Sequence, residues 1–156
     1  MFIRCGMKNE IEKVKHLRDS TGLSFNEIKK ALTEANGDEE KAREILQKIG
    51  VRIAAKKSAR QVKEGVIDSY IHNTRKVGSM IELLCETDFV ARNLEFQKLA
   101  HELAMHITAM KPGSIEELLS QPFIRDQDIT VKDLMNQYIA KLGENIQVGR
   151  FQVFDI

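Results

Sequence analysis

The chain has 156 residues, 42% apolar and 30% charged, a size and balance that suit one folded domain, or one domain plus a small appendage, and exclude intrinsic disorder. Its 24 basic and 23 acidic residues nearly cancel at +1, which excludes a globally basic nucleic-acid binder but not a local basic patch. No apolar run approaches the ~20 residues that span a bilayer, the first residues are too few and too mixed for a signal peptide, and two cysteines, Cys5 and Cys85, make no disulfide framework, so a cytoplasmic setting is expected.

Residues 8–49 read as three short helices. Ile11, Val14 and Leu17 share one face, and Thr21-Gly22 stops the first helix. Ser24 and Glu27 form a capping-box pair ahead of Ile28, Ala31, Leu32 and Ala35, and Asn36-Gly37 ends that helix in a left-handed turn. Asp38 caps a third helix carrying Ala42, Ile45, Leu46 and Ile49, with Gly50 as its stop. Residues 51–64 then form a helical or extended basic linker with Arg52, Lys56, Lys57, Arg60 and Lys63.

From Val66 the apolar period becomes two. Residues 66–71 and 77–85 predict an antiparallel hairpin turning at Asn73–Lys76, with Ile81, Leu83 and Cys85 on one face. A long helix over 94–110 carries Phe96, Leu99, Ala100, Leu103 and Ile107, and Pro112-Gly113 ends it. Ser114 and Glu117 predict another capping box and a short helix. Thr130 caps a further helix with Val131, Leu134, Met135, Tyr138 and Ile139 inward and Gly143 as its stop. Residues 146–154 make the last strand, whose apolar phase shifts between Val148 and Phe151 and so predicts a bulge near Gly149. The fold class is α+β, with a three-helix bundle followed by a three-stranded antiparallel sheet packed with helices.

Phosphate-loop and dinucleotide fingerprints are absent. His101 and His106 suggest a zinc helix, but residues five apart on a helix diverge by roughly 140° and leave no shared face. Cys85 reads better as a packed thiol than as a nucleophile, since Glu82, Glu86 and Asp88 disfavour the thiolate. No metal or cofactor is expected, and an acid–base pair of Glu86 and Asp88 lacks a recognisable substrate pocket.

The segment Cys85-Glu86-Thr87-Asp88-Phe89-Val90-Ala91-Arg92-Asn93 connects strand to helix and places a large apolar pair among charges. Phe89 either folds back as a plug or stands out as a wedge for a partner. The pattern alone favours the plug.

Residues Cys85–Ala91 resemble the signature of the elongation factor Ts family. Leu17-Arg18, Thr21-Gly22, residues 29–38, Ala54–Lys57, Glu64–Val66, Ala104–Ile107, Gln121–Phe123 and Gly143–Ile146 follow in family order, so the resemblance spans residues 8–154. Phe25-Asn26 replace an apolar, often methionine, pair, and Asn73–Lys76 replace a more glycine-rich turn. Residues 1–7 look like a leader, and the chain lacks the second core half and coiled-coil insertion of longer members, which makes it similar to the short form.

The resemblance implies a guanine-nucleotide exchange factor, not an enzyme, that binds elongation factor Tu and promotes GDP release. It implies that residues 8–50 are a module similar to ubiquitin-associated domains and that residues 65–156 are the dimerisation and core domain. Thr87, Asp88, Phe89 and Val90 would reach the nucleotide site, and Arg18, Phe25, Asn26, Lys29 and Lys57 would contact the GTPase domain. By analogy with the double core of longer members a homodimer is expected, for which an open sheet edge is suited. Two rivals are an adaptor that uses residues 8–50 to bind peptides or proteins without exchange activity, and a nucleic-acid binder using the 51–64 run. No aromatic residue interleaves that run, so base stacking has no support.

Overall fold

The computed structural model describes residues 3–156, with side chains from Glu10 onward. Met1 and Phe2, and the side chain of Cys5, lie outside the described residues.

Helix α1 (Ile3–Thr21) begins inside the expected leader. It ends where Gly22 turns left-handed at φ 66° and its N–H closes on the Arg18 carbonyl. Helix α2 (Phe25–Glu34) has the full reciprocal capping box between Ser24 and Glu27. Asn36 (φ 50°) and Gly37 (φ 78°) reverse the chain into α3 (Glu39–Lys57), capped by Asp38.

Gly50 does not stop α3. It is buried in mid-helix, where the nearest atom to an added Cβ, 4.0 Å away, is the Asn136 carbonyl oxygen of α7 (Val131–Leu142). The helix continues through the alanines to Lys57, because Gly50 keeps helical backbone angles and no left-handed residue interrupts the ladder. Leu17, Leu23, Ile28, Ala31, Leu32, Ala35, Ala42 and Leu46 form one core, and Ala140 of α7 packs against it.

Strands β1 (Glu64–Ile71), β2 (Val77–Cys85) and β5 (Gln147–Asp155) form an antiparallel sheet in the order β1–β2–β5. Val66 pairs with Leu83 across the hairpin. Between β2 and β5 the register slips where Gly149 and Arg150 oppose Glu82, the bulge that the phase shift predicts. Helix α5 (Leu94–Met110) covers the inner sheet face, burying Phe96, Leu99 and Leu103 against Ile81, Leu83 and Cys85. Ser79 also points inward, and its hydroxyl donates to the Ala104 carbonyl at 2.7 Å, so no buried polar group is stranded there.

Lys111 ends α5 in the left-handed region ahead of Pro112, whose ring disfavours a helical predecessor. In α6 (Ile115–Ser120) only half of the expected capping box forms. Ser114 accepts from the Glu117 N–H, but the Glu117 carboxylate accepts from Gly113, one residue further back. A short hairpin of β3 (Pro122–Phe123) and β4 (Asp126–Thr130), absent from the sequence reading, then leads into α7. Among the described residues no helix is long and apolar enough to cross a membrane.

The two histidines of the 101–106 stretch lie in different surroundings. His101 is exposed beside Asp68, at 3.5 Å. His106 is fully buried and stacks on Phe123. Its Nδ1 accepts from the Ile124 N–H at 3.2 Å, so Nε2 carries the proton and donates to Gln121 Oε1 at 3.0 Å. Burial holds its pKa below the usual histidine value, partly opposed by the Gln121 bond. In the unfolded chain the ring protonates near pH 6.5. The unfolded state therefore binds the extra proton first, and the stability present above that pH is lost as pH falls toward the folded pKa. His106→Gln is expected to cost about 1–3 kcal/mol at pH 7.5, by stranding the Ile124 amide or Gln121. Urea titrations at pH 7.5 and 5.5 should show the gap from wild type narrowing in acid; a pH-independent gap would overturn this account.

Candidate functional site

The strand β2 ends at Cys85, and the next residues form a single turn of helix, α4 (Asp88–Ala91), in place of the irregular connection the sequence suggests. Four residues cannot sustain a helix in water, so tertiary ties must hold this one. Ala91 is buried and Val90 packs against the main core. Phe89 points the other way and is 88% exposed, so it is a presented side chain and not a plug. Leu94, the first residue of α5, is 80% exposed nearby in the chain. Its position was legible: residues 97 and 98, one turn on, are Gln and Lys, so Leu94 falls on the polar face of an otherwise regular amphipathic helix.

Asp88 is exposed and pairs with Arg92 one turn later, at 3.0 Å. Thr87 sits at the N-cap position without a side-chain cap bond. Its hydroxyl donates instead to Glu144, whose carboxylate also accepts the Glu86 and Thr87 backbone N–H groups at 3.0 Å each. Glu86 returns the arrangement by accepting from the Asn145 N–H at 2.7 Å. Burial, and then the nearby Glu144 carboxylate, push the Cys85 thiol up to about 11. It stays protonated at neutral pH and donates to the Thr87 carbonyl at 3.3 Å, the role of a packing thiol and not of a nucleophile.

The N-terminal candidates separate into groups. Phe25, 52% exposed, and Lys29 line a groove of about 450 Å³ with Ile11, Val14 and Leu32, between α1 and α2. Arg18 and Asn26 are exposed but outside that lining. Lys57 is elsewhere, at the end of α3, where its ammonium donates to the Gly143 carbonyl at 2.6 Å. Glu144 and Asn145 were not among the expected site residues. They fall in Gly143–Ile146, one of the stretches that carry the resemblance, but nothing local showed their role, because the Glu86 and Thr87 amides and the Glu86 carboxylate that they hold lie almost sixty residues away.

The family description "Elongation factor TS" matches residues 86–156, the span that contains α4 and the Glu144 turn. An elongation factor Ts of Fervidobacterium nodosum is 42% identical over 190 aligned positions, covering 93% of this chain and 96% of the relative. Those of Thermosipho melanesiensis and Carboxydothermus hydrogenoformans are 39% and 40% identical, over 92% and 93% of this chain and 96% and 88% of their own lengths. The 190 aligned positions exceed the 156 residues here, so the Fervidobacterium relative carries residues within the aligned stretch that this chain lacks. Similarity of that extent along nearly the whole chain places it in a family: the protein belongs to the elongation factor Ts family of translation elongation factors.

Proposed function

We propose that this chain binds elongation factor Tu and promotes GDP release, acting as a guanine-nucleotide exchange factor and not as an enzyme. The observation that carries the reading is the Phe89 ring held out on α4, 88% exposed, within the family-matched segment. GDP is held mainly through its phosphates and a bridging Mg²⁺. Phe89 enters an apolar crevice of the GTPase and displaces a switch element from that bridge. Asp88 leaves Arg92 to support the displaced element, with Thr87 and Val90 completing the contact. Residues 8–50 dock as a module through Arg18, Phe25, Asn26 and Lys29, joined by the basic stretch 51–64, with Lys57, to a core of 65–156. Only preferential binding of the open state can shift the GTPase, so GDP must in turn weaken factor binding by the same ratio. Release of fluorescent GDP from elongation factor Tu, with and without this protein, tests the reading. No acceleration with intact binding would leave the adaptor alternative.

A homodimer belongs to the same proposal. One face of the sheet is covered by α5, while the other presents Ile67, Ile71, Met80 and Phe154, all at least half exposed. Ser69, opposite Met80, and Gly78, opposite Ile71 and Phe154, keep that face flat. An apolar face of this kind suits a second copy better than either free edge does. Light scattering should give twice the chain mass, and Met80→Glu should return the monomer. A monomeric wild type at micromolar concentration would dismiss the dimer.

A further inference from the structure

We infer that Glu144 is a positioning residue for the Phe89 turn, so that the loop between α7 and β5 sets the pose in which the wedge is presented. The inference rests on the exchange reading above. Three donors converge on this one carboxylate: the Glu86 and Thr87 amides on Oε2 and the Thr87 hydroxyl on Oε1. Hydrogen bonds to an ionised acceptor are the stronger kind.

The Thr87 hydroxyl occupies the position from which it would ordinarily cap α4, and it makes no cap bond there. The one-turn helix is therefore oriented from outside, by Glu144 on its leading end and by Val90 and Ala91 in the core beneath. The supporting loop is itself fixed. Gly143 turns the chain left-handed at φ 78°, and Lys57 donates to its carbonyl. The Asn145 side chain donates to the carbonyls of Arg60, at 2.7 Å, and Ser58, at 3.4 Å, while its own N–H is held by Glu86. Arg60 completes the cluster 3.6 Å from Glu86. The last turn of α3, the α7–β5 loop and the start of α4 are thus one hydrogen-bonded unit, and Glu144 is its link to the wedge.

Without that link α4 samples other poses, and fewer encounters present Phe89 correctly. Glu144→Ala is expected to lower acceleration of GDP release by about tenfold. Glu144→Gln, which keeps a carbonyl acceptor for the two amides, should recover most of it. In a Phe89→Ala background Glu144→Ala should add no further loss. A second readout needs no GTPase. The chain has no tryptophan, so Phe89→Trp installs a single indole whose fast anisotropy decay reports the motion of α4. Glu144→Ala should increase that motion in the free factor. Unchanged indole motion, or an equal loss with and without Phe89, would overturn the inference. If Phe89→Ala itself leaves exchange intact, the functional reading fails, and the indole measurement still decides whether Glu144 orders the turn.

Discussion

Phe89→Ala is expected to reduce acceleration of GDP release from elongation factor Tu by about 10- to 100-fold while leaving the factor's own stability nearly unchanged. Both halves come from exposure. A side chain that is 88% exposed supports little of its own fold, and surface changes of this kind stay within about 0.5 kcal/mol. Transfer of a phenylalanine ring from water into an apolar crevice is worth about 1.5–3 kcal/mol, or one to two decades. If the crevice exists only in the nucleotide-free GTPase, the loss falls on that complex alone, and binding to the GDP-bound form stays the same. Stopped-flow release of a fluorescent GDP, run beside calorimetric binding to both forms, separates these cases. Equal weakening of both complexes would make Phe89 a general contact and not a wedge; unchanged acceleration would remove it from the mechanism.

The ambiguity over Phe89 shows where sequence reading stops. A buried plug and an exposed wedge have the same residue type in the same connection, and nothing local distinguishes them. What decides is the direction of α4, and that is fixed by Val90, Ala91 and a carboxylate 57 residues further along. Features with local causes were legible. The Ser24–Glu27 box spans three residues, and the β5 bulge appears as a shift in a period-two pattern. Two-residue β3 and one-turn α4 are too short to carry any period. Gly50 misled because a glycine after an apolar stripe reads as a stop, whereas the glycines that end helices here, Gly22, Gly37 and Gly143, turn left-handed, and Gly50 does not. The Glu117 carboxylate missed its expected partner by one residue, since a side chain of that length reaches either amide.

Gly22→Ala should be strongly destabilising while leaving the exchange turn untouched, lowering stability by about 2–4 kcal/mol. Gly22 lies at φ 66°, where a Cβ meets its own backbone, and an added Cβ would stand 2.4 Å from both Cβ and Cγ of Lys141 on α7. Those atoms cannot swing aside as a free lysine tip would. Lys141 is anchored by Glu95 at 2.9 Å and lies over the Tyr138 ring, and its pairing holds the Glu95 carboxyl below the usual range. The helices of the N-terminal bundle would have to back away from α7 or the Lys141 pair would have to break. Gly37→Ala is the internal control: φ is 78°, yet nothing lies within 4 Å of the new carbon, so only the backbone strain of about 1–2 kcal/mol remains. At roughly 2–4 °C per kcal/mol for a chain of this size, thermal melts should place Gly22→Ala clearly below Gly37→Ala. Equal melting temperatures would mean that α1 and α7 yield freely at this junction, and that the packing between bundle and core contributes little to holding the protein together.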